Sequence, residues 1–166
     1  GDAQVTTAQS KLGTASARFD GTGDWLEVPH HPDLNFGTGA FTVDFYARFS
    51  TFTGPMMLLS KEVHATDYYK FGVSYNSNAD HLCLFLGTSP GGTCRSWDPL
   101  LNQWYHLAFV RSGANVYLFV DGVRLGDIGV DSEDADSTAP LRIGATPHGS
   151  QIFDGYLDEL RISKGS

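Results

Sequence analysis

Phe41-Thr42-Val43-Asp44-Phe45-Tyr46-Ala47-Arg48-Phe49 carries an apolar residue at every odd position and mostly polar residues at the even ones. Side chains of an extended chain alternate between two faces, so this period of two predicts a strand with one buried side. Downstream, Trp104-Tyr-His-Leu-Ala-Phe-Val110 is apolar on both faces and reads as a central strand. In Asn115-Val-Tyr-Leu-Phe-Val-Asp-Gly-Val-Arg-Leu125, two runs are joined by Asp121-Gly122. That pair tolerates the positive φ of a type I′ turn and predicts a hairpin. Working outward, further strands are expected at 15–19, 25–28, 56–61, 68–75, 81–86, 141–143 and 156–162. Clusters of Gly, Pro, Asn and Asp separate them. A short turn at 31–34 is the sole helical expectation. Many short strands, with no repeat, linker or low-complexity tail, predict an all-β antiparallel sandwich filling residues 1–166 as a single domain.

Charge and composition exclude several classes. Eleven Lys and Arg stand against nineteen Asp and Glu, and 11 − 19 gives −8 with histidine neutral. A sequence-independent grip on nucleic acid or an anionic membrane needs clustered cations, so neither partner is expected. Hydrophobic residues make up 41%, but no apolar run approaches the ~18 residues of a membrane span, so no membrane insertion is expected. No basic and then apolar leader opens the chain, and its start at Gly1 reads as that of an excised piece. The two cysteines, Cys83 and Cys94, are too few for a disulfide framework or a structural zinc site. They flank a Ser-Pro-Gly-Gly turn, so a hairpin there would let them face each other and bond. Two unlinked thiols, at least one packed as a small hydrophobe, is the other reading.

Five blocks carry a family likeness. They are Ser16-Ala-Arg-Phe-Asp-Gly-Thr-Gly-Asp-Trp-Leu26, Phe41-Thr-Val-Asp-Phe-Tyr46, Asn102-Gln-Trp-Tyr-His-Leu-Ala108, Leu118-Phe-Val-Asp-Gly122 and Phe153-Asp-Gly-Tyr-Leu-Asp-Glu-Leu-Arg-Ile-Ser163. In this order, covering about 15–163, they resemble laminin G-like domains of the concanavalin A-like lectin/glucanase jelly-roll class. Leu141-Arg-Ile-Gly-Ala145 and Ile162-Ser-Lys-Gly165 resemble, less specifically, versions in phage tail and metagenomic viral proteins. The resemblance implies a jelly roll of two curved antiparallel sheets. It also implies a calcium ion between the Phe-Asp-Gly and Asp-Glu segments, held by Asp20 and Asp158, with Asp24 and the Gly23 carbonyl as further ligands. Calcium takes six to eight hard oxygens, and a Gly-Thr-Gly turn lets carbonyls point inward. Asp158 shares strand parity with Tyr156, Leu160 and Ile162 and is expected to face the core, where a carboxylate needs a cation or several donors. The local alternative makes Asp20 a turn-former and pairs Asp158 with Arg18 or Arg161.

Sugars are held by aromatic rings beneath their C–H faces and by polar side chains at their hydroxyls. Candidates for a carbohydrate-binding surface are Trp25, His30, His31, Tyr68, Tyr69, Asn76, Asn78, Trp97 and His148. Trp25 and Trp97 stand where the resembled family often carries an aromatic, so rim packing competes with ligand contact. The run 131–136 lacks the glycine and distal glutamate of an EF-hand and reads as a solvated acidic loop. Histidines 30, 31, 64, 81, 106 and 148 lack zinc-site spacing, and His106 reads as a structural strand residue. Asp154 and Asp158 share a face without the third acid of a glucanase signature, and neither a nucleophile elbow nor a phosphate loop occurs. No enzyme is expected. The expected role is a non-catalytic, calcium-stabilised lectin-like module of a larger extracellular or phage tail protein. It would act outside the cell or on a virion surface, bind a cell-surface glycan or polysaccharide, and be multimeric through its parent. The alternative is a protein-interaction or structural module without sugar binding.

Overall fold

The computed structural model describes residues 2–61, 70–87 and 92–165. Two antiparallel sheets face each other. The larger is ordered β1 (Gln4–Thr6), β2 (Ser16–Asp20), β14 (Asp154–Lys164), β4 (Phe41–Phe49), β9 (Trp104–Ser112), β10 (Asn115–Val120), β11 (Val123–Arg124), and β12 (Gly129–Val130) also pairs with β10. The smaller is ordered β3 (Leu26–Val28), β13 (Leu141–Ile143), β5 (Pro55–Lys61), β6 (Phe71–Asn76), β7 (His81–Leu86), β8 (Thr93–Ser96). A single 3₁₀ turn, Pro32–Leu34, follows β3 among the described residues. This is the all-β sandwich that the alternation predicts.

The core lies between the sheets. All five odd residues of β4, Phe41 to Phe49, are fully buried, and so are Leu107 and Phe109 of β9. From the other sheet come Met56, Leu59, Val73, Tyr75 and Leu84. β9 is central, flanked by β4 and β10, and its burial alternates: Tyr105, Leu107 and Phe109 are buried, while Trp104, His106, Ala108 and Val110 are half-buried on the other face. Asp121 (φ 49°) and Gly122 (φ 78°) both take left-handed backbone, as a type I′ hairpin requires.

Three strands escaped the periodicity: β1, β8 and β12, each two to four residues long. The strand expected at 68–75 is described from Phe71, and Tyr68 and Tyr69 lie outside the described residues. β14 departs from expectation more instructively. A β-bulge between Asp158 and Arg161 breaks its register with β4, so Tyr156 lies opposite Arg48 while Ile162 lies opposite the core residue Val43. Parity therefore reverses along the strand. The acidic run 131–136 is also less solvated than expected: Asp131 and Ala135 are buried, while Glu133, Asp134 and Asp136 are exposed.

Candidate functional site

The face of the six-stranded sheet turned away from the core follows from the same alternation that builds the core. With Val73 and Tyr75 inward, Ser74 and Asn76 point outward; with Leu82 and Leu84 inward, His81, Cys83 and Phe85 do the same. Strand register assembles these into rows. Met57, Ser74, Cys83 and Cys94 are successive cross-strand neighbours, and Pro55, Asn76, His81 and Ser96 form the next row. Together they shape a cleft of about 300 Å³. Its apolar lining is Met57, Phe85 and the Cys83–Cys94 disulfide, which joins directly opposed residues. Its polar lining is Ser74, Asn76, His81 and Gln151. Asn76 Oδ1 accepts the Asn78 N–H at 3.0 Å, which orients the amide. The Gln151 backbone is pinned to the sheet, its carbonyl accepting the Met57 N–H at 2.7 Å. No carboxylate lines the cleft among the described residues.

The nominated sugar contacts scatter. Asn76 lies in the cleft and Asn78 beside it. Trp97 does not present a free ring: it packs edge-on against Tyr105 at 5.0 Å, Tyr75 at 5.6 Å and Phe49 at 5.9 Å, because the segment after β8 folds back onto the core. Trp25 sits by the β3–β13 edge under the Arg142 guanidinium, 4.9 Å from the ring centre. Arg142 is held there by Glu27 at 2.9 Å and by the carbonyls of Thr146 and Pro147. His148 is exposed in that same turn. His30 and His31 are exposed ahead of the 3₁₀ turn, where His31 Nδ1 accepts the Asp33 N–H at 3.3 Å and acts as its cap. The sequence search missed Ser74, His81 and Phe85, which strand parity marks as outward.

A separate acidic group forms around the β2–β3 connection. Asp24 is 2% exposed; its Oδ1 accepts the Asp2 N–H at 2.8 Å and its Oδ2 accepts the Asp20 N–H at 2.9 Å. One carboxylate oxygen each from Asp2, Asp20 and Asp24 lies within 4.8 Å of the others. Burial pushes the Asp24 carboxyl up, but the amide hydrogen bonds from Asp20 and Asp2 outweigh it and hold it below the usual range. Asp2 is pushed up, first by its hydrogen bond with Asp24 and then by the charges of Asp24 and Asp20. No cationic side chain pairs with the three among the described residues. Gly23 occupies the intervening turn with φ 73°. This hard-oxygen set fits a calcium ion, and Asp2 is a member the sequence reading did not name.

Asp158 is not part of this group. Register places Asp154, not Asp158, opposite Asp20. Asp158 lies on the outer side of the eight-stranded sheet, where its Oδ2 accepts the N–H groups of Lys11 and Leu12 at 2.8 and 3.0 Å. The covering N-terminal segment, rather than the core, buries it. Arg18 pairs with Asp154 at 2.8 Å and Arg161 with Asp44 at 3.0 Å, so neither is its partner.

Residues 20–166 match a family model described as the concanavalin A-like lectin/glucanases superfamily, of laminin G type. Domain 4 of AbnA, a GH43 extracellular arabinanase from Geobacillus stearothermophilus solved with arabinotriose, is similar at 21% identity and TM-score 0.72, over 99% of this chain and 76% of that one. Domains LG4-5 of the mouse laminin α1 chain are similar at 18% identity and TM-score 0.68, covering 97% of this chain and 41% of that one. A Trypanosoma rangeli sialidase follows at 17% identity and TM-score 0.64, over 96% of this chain but 27% of the sialidase. These likenesses show a shared fold. No curated protein sequence matches the chain.

Proposed function

We propose that this chain, which belongs to the concanavalin A-like lectin/glucanases superfamily, is a non-catalytic carbohydrate-binding module. The observation that carries this reading is the cleft on the outer face of the six-stranded sheet. Phe85 and the disulfide, over the fully buried Met57, offer an apolar floor for C–H faces, while Asn76, His81 and Gln151 offer amide and imidazole partners for sugar hydroxyls. Glycoside cleavage ordinarily requires two carboxyl groups flanking the bond, and none lines the cleft among the described residues. The arabinanase domain solved with arabinotriose, similar in fold, makes an arabino-oligosaccharide the first probe. The module acts outside the cell, as part of a larger extracellular or virion-surface protein, and its shallow site gains strength through repeated display by that parent.

Calcium belongs to the same reading as a stabiliser. Asp2, Asp20 and Asp24 hold the ion, and its charge relieves the repulsion among three close carboxylates. The test is binding to arabinotriose and a broad polysaccharide panel, in calcium and in chelator, with melting followed in parallel. Binding to at least one glycan, with a melting temperature that rises on adding calcium, is expected. A folded protein silent across the panel would overturn the lectin reading; an unchanged melting temperature would remove the metal alone.

A further inference from the structure

Strand parity turns both cysteines toward the outer face of the six-stranded sheet, and register sets them directly opposite each other on β7 and β8. The disulfide therefore bridges two neighbouring strands and does not tie distant segments together. It lines the cleft of about 300 Å³ described above, and Cys94 also borders a second cleft of about 410 Å³ at the β8 edge, beside Arg95 and Asp127. The two cysteines are not equivalent. Cys83 is 4% exposed, with Ser74 of β6 next to it in the row. Cys94 is half-buried on β8, beyond which the sheet has no further strand among the described residues. A thiolate displaces one sulfur of a disulfide by approaching the other from its far side, so access decides which is attacked. Approach to Cys83 crosses β6 over Ser74; approach to Cys94 comes from the free edge. At that edge Arg95 Nη1 donates to the Cys94 carbonyl at 2.7 Å, and Nε and Nη2 donate to the Asp127 carbonyl at 2.9 and 2.7 Å. No carboxylate pairs with Arg95 among the described residues, so its charge favours an arriving thiolate. Asp127, exposed at the rim, disfavours a thiol that carries a further negative charge.

The bridge also holds an element with few other ties. β8 has four residues and pairs with β7 alone. Outside that ladder it is tethered by the Arg95 donors and by the Trp97 N–H, which donates to the Asp80 carbonyl at 2.8 Å. An edge strand is hydrogen-bonded on one side only, so a covalent link to its neighbour contributes much of what keeps so short a strand in place. No β8 residue belongs to the hydrophobic core. Opening the bond therefore loosens one wall of the cleft and leaves the sandwich standing.

We infer that the Cys83–Cys94 bond is a thiol-operated switch: a small thiol with no other charge opens it at Cys94, and the loosened edge strand takes the cleft out of use. The incoming sulfur bonds to Cys94 Sγ as the native S–S bond breaks, and Cys83 Sγ leaves with the electron pair and takes a proton from water. A second thiol displaces Cys94 from the mixed disulfide, so the protein gains two electrons and two protons while two thiols become one disulfide. The effect on sugar rests on the carbohydrate-binding reading; the exchange chemistry does not. The test treats the folded chain with β-mercaptoethanol, captures freed thiols with N-ethylmaleimide and maps both masses to peptides. Mercaptoethanol should sit on Cys94 and maleimide on Cys83, favoured over the reverse by roughly tenfold or more, and mercaptoethanesulfonate should react more slowly. Full reduction with dithiothreitol should speed amide exchange in β8 by roughly tenfold or more, while β4 and β9 keep their protection. Cys83→Ala/Cys94→Ala should reproduce that pattern without reductant; if it fails to fold, the wild type reduced in place carries the measurement. Reduction should also weaken retardation by whichever polysaccharide retards the oxidised chain, by roughly tenfold or more. Equal labelling of the two cysteines, or reaction only in urea, would overturn attack at Cys94. Unchanged exchange in β8, or loss of protection throughout, would overturn the local switch. An oxidised chain that binds no glycan overturns the carbohydrate reading, with the chemistry at Cys94 still decided by the mapping. Equal glycan binding by oxidised and reduced chains overturns the switch alone.

Discussion

Two buried cations organise the loops around the core. Lys61 is fully buried, and its ammonium donates to Asn35 Oδ1 at 2.7 Å and to the carbonyls of Ser137 and Leu34 at 2.8 and 3.2 Å. Arg111 is equally buried and spreads its donors over the carbonyls of Gly39, Glu133, Phe36 and Gly37. Burial pushes both groups down from their ordinary pKa, yet saturation with oxygen acceptors keeps them charged. Lys61→Met removes the donors and strands the oxygens, so it should cost about 2–3 kcal/mol, read from urea midpoints. Asp24 yields the pH dependence. Its native pKa is depressed, so its stabilisation is complete above the ordinary carboxylate value of about 4 and is lost as pH falls from there through the native value. In chelator, the stability gap between wild type and Asp24→Asn should therefore narrow as the pH drops below about 4. A gap constant across that window would contradict the assignment. Asp2, raised and exposed, works in the opposite direction, with stability lost as pH rises through its native value.

At the level of elements, β4 and β14 show what periodicity can and cannot carry. β4 is regular over nine residues, and each of its odd positions is buried as alternation demands. In β14 the bulge between Asp158 and Arg161 inserts a parity change that no local pattern announces. Counting outward from Ile162 therefore puts Asp158 in the core, whereas the strand sets it on the outer face. Its partners, the amides of Lys11 and Leu12, lie 147 and 146 residues away in sequence, a contact made only by the fold. Asp158 is an anchor for the N-terminal segment. Asp158→Ala should accelerate amide exchange at Lys11 and Leu12 and cost about 1–3 kcal/mol, with no change in any calcium-induced melting shift. Loss of that shift in this variant would restore Asp158 to the metal site.

Across the whole molecule, the two sheets bury one core and turn chemically different faces outward. The sandwich was legible because hydrophobic alternation and turn residues recur throughout the chain. The site was only partly legible, because a search for loop aromatics passes over strand residues. Asn76 was found, while Ser74, His81 and Phe85 needed the parity of β6 and β7 applied to their outward side. Trp97 packs inward against Tyr75 and Tyr105, which is the packing alternative to ligand contact at that position. The Asp2 contribution to the acidic group depends on a terminus reaching Asp24 across 22 residues. The most direct measurement is affinity electrophoresis on neutral polysaccharides, running the wild type beside an Asn76→Ala/His81→Ala variant of equal melting temperature. At least one polysaccharide should retard the wild type, and the variant should run free. Retardation of both alike would place any sugar binding elsewhere and contradict the cleft on the six-stranded sheet as the site.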